Sequence, residues 1–167
     1  MIDGGLLLDK PVGISSNRAL QDAKKLLGAK KAGHAGTLDP LASGLLILLF
    51  GEATKLAAHL LDEDKEYLAT LKLGEKTSTG DAEGEVIERK DVRVKDADLG
   101  PVLRRFTGDI DQVPPMHSAL KRGGVPLYEL ARRGETVARQ ARRVRIANLE
   151  KVQFDPPHLV LRVRCSK

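Results

Sequence analysis

The residues best suited to chemistry lie in a short segment, Gly33 to Pro40, that contains one imidazole and one carboxylate. Asp39 stands directly before Pro40, and a residue before proline is driven out of the α region into an extended conformation. A carboxylate is ionised at neutral pH without help from its neighbours. Held in place, it can stabilise developing positive charge or act as a nucleophile. We therefore expect Asp39 to be the reactive residue.

The same segment also has an ordinary structural interpretation. Asp-Pro after a glycine-rich stretch is a common turn sequence, and Asp often hydrogen-bonds its own backbone there. Gly33 and Gly36 permit positive φ or the close approach of another backbone. Spacing alone favours the turn over the catalytic interpretation. The segment runs into the most apolar stretch of the chain, Leu45 to Phe50, which predicts a buried strand with Asp39 near its edge.

The elements before and after this segment follow from periodicity and capping. Residues 6–8 predict a short buried strand, and Ser15 or Ser16 can cap the helix that follows and ends before Gly28. Further helices are expected over 52–61, 99–106 and 126–133. Further strands are expected over 67–73, 84–89, 117–121, 144–154 and 159–165. This mixture predicts one α+β domain over residues 1–167, with a mixed, largely antiparallel sheet flanked by helices.

Composition limits the function classes. The chain has 28 Lys plus Arg against 23 Asp plus Glu, a net charge of +5 that is compatible with a polyanionic partner. Cys165 is the single cysteine, which excludes an intrachain disulfide and a cysteine zinc cluster, and the histidines are scattered. We expect no metal and no cofactor.

The apolar stretches are short. The longest, 45–50, is far below the roughly 18 residues that a membrane span needs, and the N-terminus has neither a basic flank nor a cleavage signal. We expect a cytoplasmic monomer with no membrane partner.

A cluster of arginines lies in a stretch where Glu135 is the only acidic residue. Its members are Arg132, Arg133, Arg139, Arg142, Arg143 and Arg145. Arginine binds phosphate bidentately and stacks on bases. A solvated helix end followed by a strand edge explains the cluster equally well.

The block from Ala32 to Leu46 reads Ala-Gly-His-Ala-Gly-Thr-Leu-Asp-Pro-Leu-Ala-Ser-Gly-Leu-Leu. It resembles the signature of the TruB family of tRNA pseudouridine synthases, in which the Asp of Gly-Thr-Leu-Asp-Pro is catalytic. Lys10 and Pro11 match the N-terminal motif of that family. The resemblance implies a pseudouridine synthase-like catalytic domain in which Asp39 is catalytic and His34 contacts the RNA. The supporting residues are then Lys10, Pro11, Gly36, Thr37 and Leu38.

The resemblance further implies the reaction and its partner, the T arm of tRNA. Uridine at position 55, in the T loop, becomes pseudouridine after the base is flipped into a pocket. Tyr67, in the TruB-like Lys-Glu-Tyr context, stacks on the uracil and serves in proton transfer at C5; the alternative is a half-buried strand tyrosine. The residues expected to hold the RNA backbone are Lys121, Arg132, Arg133, Arg142 and Arg143. His117 stands where most members have an aromatic residue.

Relatives in this family continue after Cys-Ser-Lys with Gly-Thr-Tyr-Ile-Arg and a C-terminal RNA-binding domain. We therefore expect residues 1–167 to be a catalytic domain that is incomplete at its C-terminus, without the arginine that pairs with the catalytic aspartate. Two other functions are compatible with the residues. One is a non-catalytic RNA-binding or tRNA-folding module. The other is a small-molecule glycosidase, which fits less well because no second carboxylate is evident near Asp39.

Overall fold

The computed structural model describes residues 2–118 and 120–166, and the chain forms two compact units, Met1–Glu63 and Asp64–Lys167. Each unit has its own sheet and its own hydrophobic cluster. All strand pairs among the described residues are antiparallel. This confirms the predicted α+β class and the antiparallel character of the sheets.

The first unit is built on a three-stranded sheet in the order β1-β3-β2. Its elements are β1 (Gly4–Lys10), α1 (Ser16–Leu26), β2 (Ala32–Ala35), β3 (Gly44–Phe50), a 3-10 helix (Gly51–Leu56) and α2 (Ala57–Leu61). Helix α1 packs Ala19 and Leu20 against Leu46, Leu48 and Phe50 of β3. Leu48 has no exposed surface, so β3 is the buried strand that its composition predicts.

Helix α1 begins and ends where the sequence predicts. Of the two candidate serines, Ser15 is the N-cap: its hydroxyl accepts a hydrogen bond from the Arg18 amide at 3.2 Å. This bond satisfies one of the amides that a helix leaves without an intrahelical partner. The last residue of α1 is Leu26, two positions before Gly28.

Two expectations for the first unit are wrong in part. β1 forms where predicted, but Leu7 is 70% exposed. The strand is at the edge of the sheet, and Leu7 and its partner Ile47 lie on the face opposite α1. The helix expected over 52–61 is a 3-10 helix followed by α2, and Thr54 donates a hydroxyl hydrogen bond to the Gly51 carbonyl in its first turn.

The second unit contains a four-stranded sheet in the order β4-β11-β10-β7 and two small two-stranded sheets. Its elements are β4 (Lys65–Lys72), β5 (Glu75–Thr77), β6 (Val86–Arg89), α3 (Asp96–Arg105), β7 (Gly108–Gln112), β8 (Lys121–Arg122), β9 (Val125–Pro126), α4 (Leu127–Arg132), β10 (Arg142–Asp155) and β11 (His158–Cys165). Leu99 of α3 packs against Leu159 and Leu161 of β11.

The long strands and both helices of this unit form where periodicity predicts them, whereas the short pieces differ. The strand expected over 84–89 begins at Val86 and pairs with β5, and neither β5 nor β7 was expected. The extended piece expected over 117–121 is wrong for its first described residues. Ser118 donates a hydroxyl hydrogen bond to the Pro115 carbonyl, which closes a bend, and the strand begins only at Lys121. Ala119 lies outside the described residues.

Among the described residues, no helix combines the length and the apolar composition that crossing a membrane requires.

Candidate active site

Asp39 lies in the loop 36–43, which joins β2 to β3, and its side chain is exposed. The Asp39 carbonyl accepts a hydrogen bond from the Ala42 amide at 3.0 Å, so the backbone forms a β-turn with Pro40 in its second position. The turn interpretation is therefore correct for the backbone. Within residues 2–118 and 120–166, no hydrogen bond or ion pair engages the Asp39 carboxylate. The turn leaves this group available to a ligand.

Both neighbours of Asp39 are tied to residues that follow β1: Gly13 in the turn before α1 and Ser16 at the start of α1. The Gly13 amide donates to the Pro40 carbonyl at 2.7 Å. The Ser16 hydroxyl accepts from the Leu38 amide and donates to the Leu38 carbonyl, each at 2.9 Å. Ser16 is only 3% exposed. The loop is held on each side of Asp39 while the carboxylate faces solvent.

Lys10 organises the segment that makes these contacts. Its ammonium group is fully buried and donates to the carbonyls of Pro11 and Ile14, each at 2.9 Å. Buried charges require such hydrogen bonds because they lose their hydration. The two bonds close the turn that contains Gly13, and the buried position leaves Lys10 no surface for a ligand contact.

Glycines with positive φ stand at both ends of the Asp39 loop. Gly36 has φ +98° and Gly44 has φ +125°, values that side-chain-bearing residues rarely adopt. The expectation of positive φ is therefore correct at Gly36. Gly33 lies in β2 and does not use this freedom, since its φ is not positive. A Cβ built there would meet Thr54 Cγ2 at 3.9 Å, an ordinary contact.

His34 lies in β2, two residues before the loop that carries Asp39. Its Nδ1 is 2.5 Å from the Gly36 carbonyl oxygen. A carbonyl only accepts, so Nδ1 carries the proton of this hydrogen bond. The bond turns the half-buried ring toward the start of the loop that carries Asp39. Thr37, the second residue of that loop, is exposed.

Tyr67 and the basic candidates lie in the second unit. Tyr67 is the third residue of β4, stands opposite Val163 of β11 and is 41% exposed. It is accessible enough for a ring to stack on it. Lys121 begins β8, is exposed and has no ion pair with a described residue.

Four of the six arginines of the cluster already have local side-chain partners, whereas Arg139 Nε is buried without a hydrogen bond to any described residue. Two N–H groups of Arg142 bond to Gln112 Oε1, at 3.0 and 2.8 Å. Arg143 lies 3.5 Å from an Asp109 carboxylate oxygen. Arg133 pairs with Glu129, and the Arg132 guanidinium lies 5.4 Å from the Tyr128 ring centroid. The cluster is therefore less free than its sequence indicates.

Two polar residues with specific contacts were not predicted as site residues. Ser16 was considered only as a helix cap. Asp81 accepts hydrogen bonds from the Thr79 hydroxyl at 2.6 Å and from the Glu83 amide at 2.9 Å. The Thr79 bond, the backbone amides and His117 together lower the pKa of the Asp81 carboxyl below its usual range. The signal available in the sequence was the run of hydroxyl residues that ends in this acid.

For the part of the chain that the structure describes, no group of three or more His, Cys, Asp or Glu side chains is arranged to hold a metal ion.

Known proteins similar to this chain share one family description. The sequence model "TruB family pseudouridylate synthase (N terminal domain)" matches residues 24–167. A protein of Burkholderia lata called tRNA pseudouridine synthase B is 61% identical over 167 residues, all of this chain and 52% of the relative. A protein of the same name from Thiobacillus denitrificans is 59% identical over 165 residues, 99% of this chain and 55% of the relative.

Solved structures share the fold. A chain of a Cbf5-Nop10-Gar1 complex superposes with a TM-score of 0.69 at 30% identity, over 97% of this chain and 39% of that chain. A chain of an H/ACA RNP bound to a substrate RNA containing 2'-deoxyuridine gives 0.67 at 25% identity, over 97% and 37%. The chain spans about half the length of the curated relatives it matches. Since the family model covers well over half of the residues, the chain belongs to the TruB family of pseudouridylate synthases.

Proposed function

We propose that residues 1–167 act as a catalytic domain that converts uridine to pseudouridine in tRNA, at position 55 of the T loop. Family membership and the names of the bacterial relatives support the reaction and the tRNA substrate. A similar fold in an RNA-bound complex supports an RNA partner. The observation that carries the proposal is the Asp39 carboxylate, which is exposed on a loop whose backbone is held on both sides.

The reaction needs few groups from the protein. The bond between ribose C1′ and uracil N1 breaks, the base rotates, and C1′ bonds to C5; C5 then loses its proton and N1 ends protonated. Bond breaking builds positive charge at C1′. The Asp39 carboxylate acts there by attack or by electrostatic stabilisation, and both roles require an ionised, accessible, positioned carboxylate.

The other candidates are proposed to bind the RNA. Tyr67 stacks on the flipped uracil, an interaction worth about 1–3 kcal/mol per base, and serves in proton transfer at C5. His34 contacts the nucleotide beside it. The T-arm backbone is held by Lys121, Arg132, Arg133, Arg142 and Arg143. Lys10, Pro11, Gly36, Thr37 and Leu38 support the loop.

Asp39→Asn tests this proposal. Asparagine suits the same turn but lacks the charge, so pseudouridine formation on unmodified tRNA should fall about a thousandfold or more. The affinity for tRNA should stay within about twofold. Asp62→Asn removes an exposed carboxylate of the same unit and should change neither quantity.

A parent chain that binds tRNA but forms no pseudouridine would contradict the proposed catalytic function. It would favour the alternative of an RNA-binding or tRNA-folding module. Equal turnover by Asp39→Asn and the parent would show that another group does the chemistry.

A further inference from the structure

We propose that Ser16 is the residue that positions Asp39, by holding the two peptide groups on either side of Leu38. For its effect on turnover this inference rests on the proposed function. The Ser16 hydroxyl accepts a hydrogen bond from the Leu38 amide and donates one to the Leu38 carbonyl. Both bonds are made by the same oxygen atom, each at 2.9 Å. The two residues are 22 positions apart, so the contact is tertiary and not part of a local turn.

The two bonds constrain more than one residue. The Leu38 amide belongs to the Thr37–Leu38 peptide group, and the Leu38 carbonyl belongs to the Leu38–Asp39 group. Each group is planar, and φ and ψ of Leu38 set the angle between them. Because one oxygen atom binds both planes, it restrains both dihedrals. The second plane includes the amide nitrogen of Asp39, so the restraint extends to the backbone that carries the carboxylate.

A serine hydroxyl suits this role because it offers one donor and two acceptor positions. The amide uses an acceptor position and the carbonyl takes the proton, which fixes the hydroxyl rotamer. The anchor is itself rigid, since Ser16 is the first residue of α1 and is nearly buried. The Gly13 amide, in the turn just before α1, donates to the Pro40 carbonyl, so the backbone is held on each side of Asp39.

Ser15 provides a matched control. It is the adjacent serine, its hydroxyl caps α1 by accepting from Arg18, and no bond between described residues joins its side chain to the Asp39 loop. Ser15→Ala therefore weakens the helix without touching Leu38. Ser16→Ala removes the tether and leaves the cap. A role for Ser16 in stability alone would make the two variants behave alike at Leu38.

Amide hydrogen exchange, followed by NMR on the 167-residue chain, tests the tether directly. In Ser16→Ala the Leu38 amide should exchange about tenfold faster than in the parent, as expected for the loss of one hydrogen bond. The amide of Leu48, in the core, should change by less than about twofold once global stability is corrected for. Ser15→Ala should leave Leu38 unchanged after the same correction.

If Ser16→Ala does not fold, Ser16→Cys replaces the hydroxyl with a weak donor and acceptor and should give a smaller acceleration at Leu38. Unchanged exchange at Leu38 in the folded variant would overturn the inference.

Single-turnover kinetics then distinguish a role of Ser16 in positioning Asp39 from a role in stability alone. Ser16→Ala should lower the rate of pseudouridine formation by about tenfold to a hundredfold, since a small displacement of a reacting group costs that much. The tRNA affinity should stay within about twofold, and Ser15→Ala should keep the parent rate.

Faster exchange with an unchanged rate would refute the positioning role. An inactive parent would contradict the proposed function, and the exchange data alone would then decide whether Ser16 holds the loop.

Discussion

The Asp39 loop and the arginine cluster are built in opposite ways. In the loop 36–43 the backbone is tied, through Leu38 and Pro40, and the carboxylate has no described partner. In four of the six arginines of the cluster the side chain is engaged, as in the contacts of Arg142 with Gln112 and Arg143 with Asp109.

The difference matches what each region is proposed to do. A reacting carboxylate has to be placed within a fraction of an ångström, so its backbone is restrained and its charge is left open. Phosphate binding tolerates more variation in position. Exposed ion pairs are worth only about 0–1 kcal/mol, so an arginine can exchange a surface partner for a phosphate at small cost.

The largest expected effect tests β3, the buried strand that follows the Asp39 loop. Leu48→Ala removes a fully buried side chain from β3 and should lower the free energy of unfolding of the first unit by about 3–5 kcal/mol. Denaturant unfolding, followed by probes in each unit, measures the loss. Leu161→Ala makes the same change in the second unit. A loss below about 1 kcal/mol for Leu48→Ala would mean that β3 is not the support of the loop.

The next effect concerns the loop backbone itself. Gly36→Ala forces a side-chain-bearing residue to φ +98° and should cost about 1–2 kcal/mol. Apart from its two chain neighbours, no described residue comes within 4 Å of the added Cβ, so the cost is one of backbone conformation and not of collision. Thermal unfolding measures it.

Gly5→Ala is the matched control for that experiment. Gly5 lies in β1 without positive φ, and its Cβ would meet Leu49 Cδ2 at 3.7 Å, an ordinary contact. This variant should be neutral or gain up to about 1 kcal/mol, because alanine restricts the unfolded chain. Equal losses in the two variants would remove the argument that Gly36 shapes the loop.

A smaller effect compares Lys121, which has no ion pair with a described residue, with Arg142, whose guanidinium already binds Gln112. If Lys121 contacts a phosphate, Lys121→Ala should reduce the slope of log affinity for tRNA against log salt by about 0.7–0.9. Arg142→Gln should reduce it less, because Gln112 already uses two N–H groups of that guanidinium. Titrations at several salt concentrations measure both slopes. A larger change for Arg142→Gln would show that its contact with Gln112 gives way to RNA.

The smallest effect is a pH dependence. The Thr79 hydroxyl is the first cause of the lowered pKa of Asp81, and Thr79→Val removes it at nearly constant shape. A carboxyl whose pKa is lower in the folded state stabilises the fold above its unfolded pKa and loses that stabilisation as the pH falls through the folded value. The variant should therefore be less stable than the parent at pH 7, and the difference should shrink below about pH 4. NMR titration of Asp81 should show its pKa raised in the variant. A pKa unchanged by the substitution would assign the shift to the backbone amides and His117.

Local patterns predicted much of this molecule. The helical spacing of apolar residues predicted α1, and the serines before it predicted the N-cap. The apolar composition of residues 45–50 predicted the buried strand. The Asp-Pro sequence predicted the turn at Asp39, whose carbonyl accepts from the Ala42 amide. The exposure of Leu7 did not follow, because it depends on which strand lies at the edge of the sheet. The contact of Ser16 with Leu38 and that of Arg142 with Gln112 join residues 22 and 30 positions apart, and no local pattern specifies such pairs.

The two glycines that bound the Asp39 loop have a consequence for chemical synthesis. At φ +98° and +125°, Gly36 and Gly44 have the backbone handedness that a D-amino acid prefers. The Cβ of a D-residue projects in the mirror-image direction, toward the position of the other α-hydrogen. D-Alanine at either site would keep the native φ while restricting the unfolded chain, so a semisynthetic protein could carry a stiffer loop with every side chain from Thr37 to Ser43 retained.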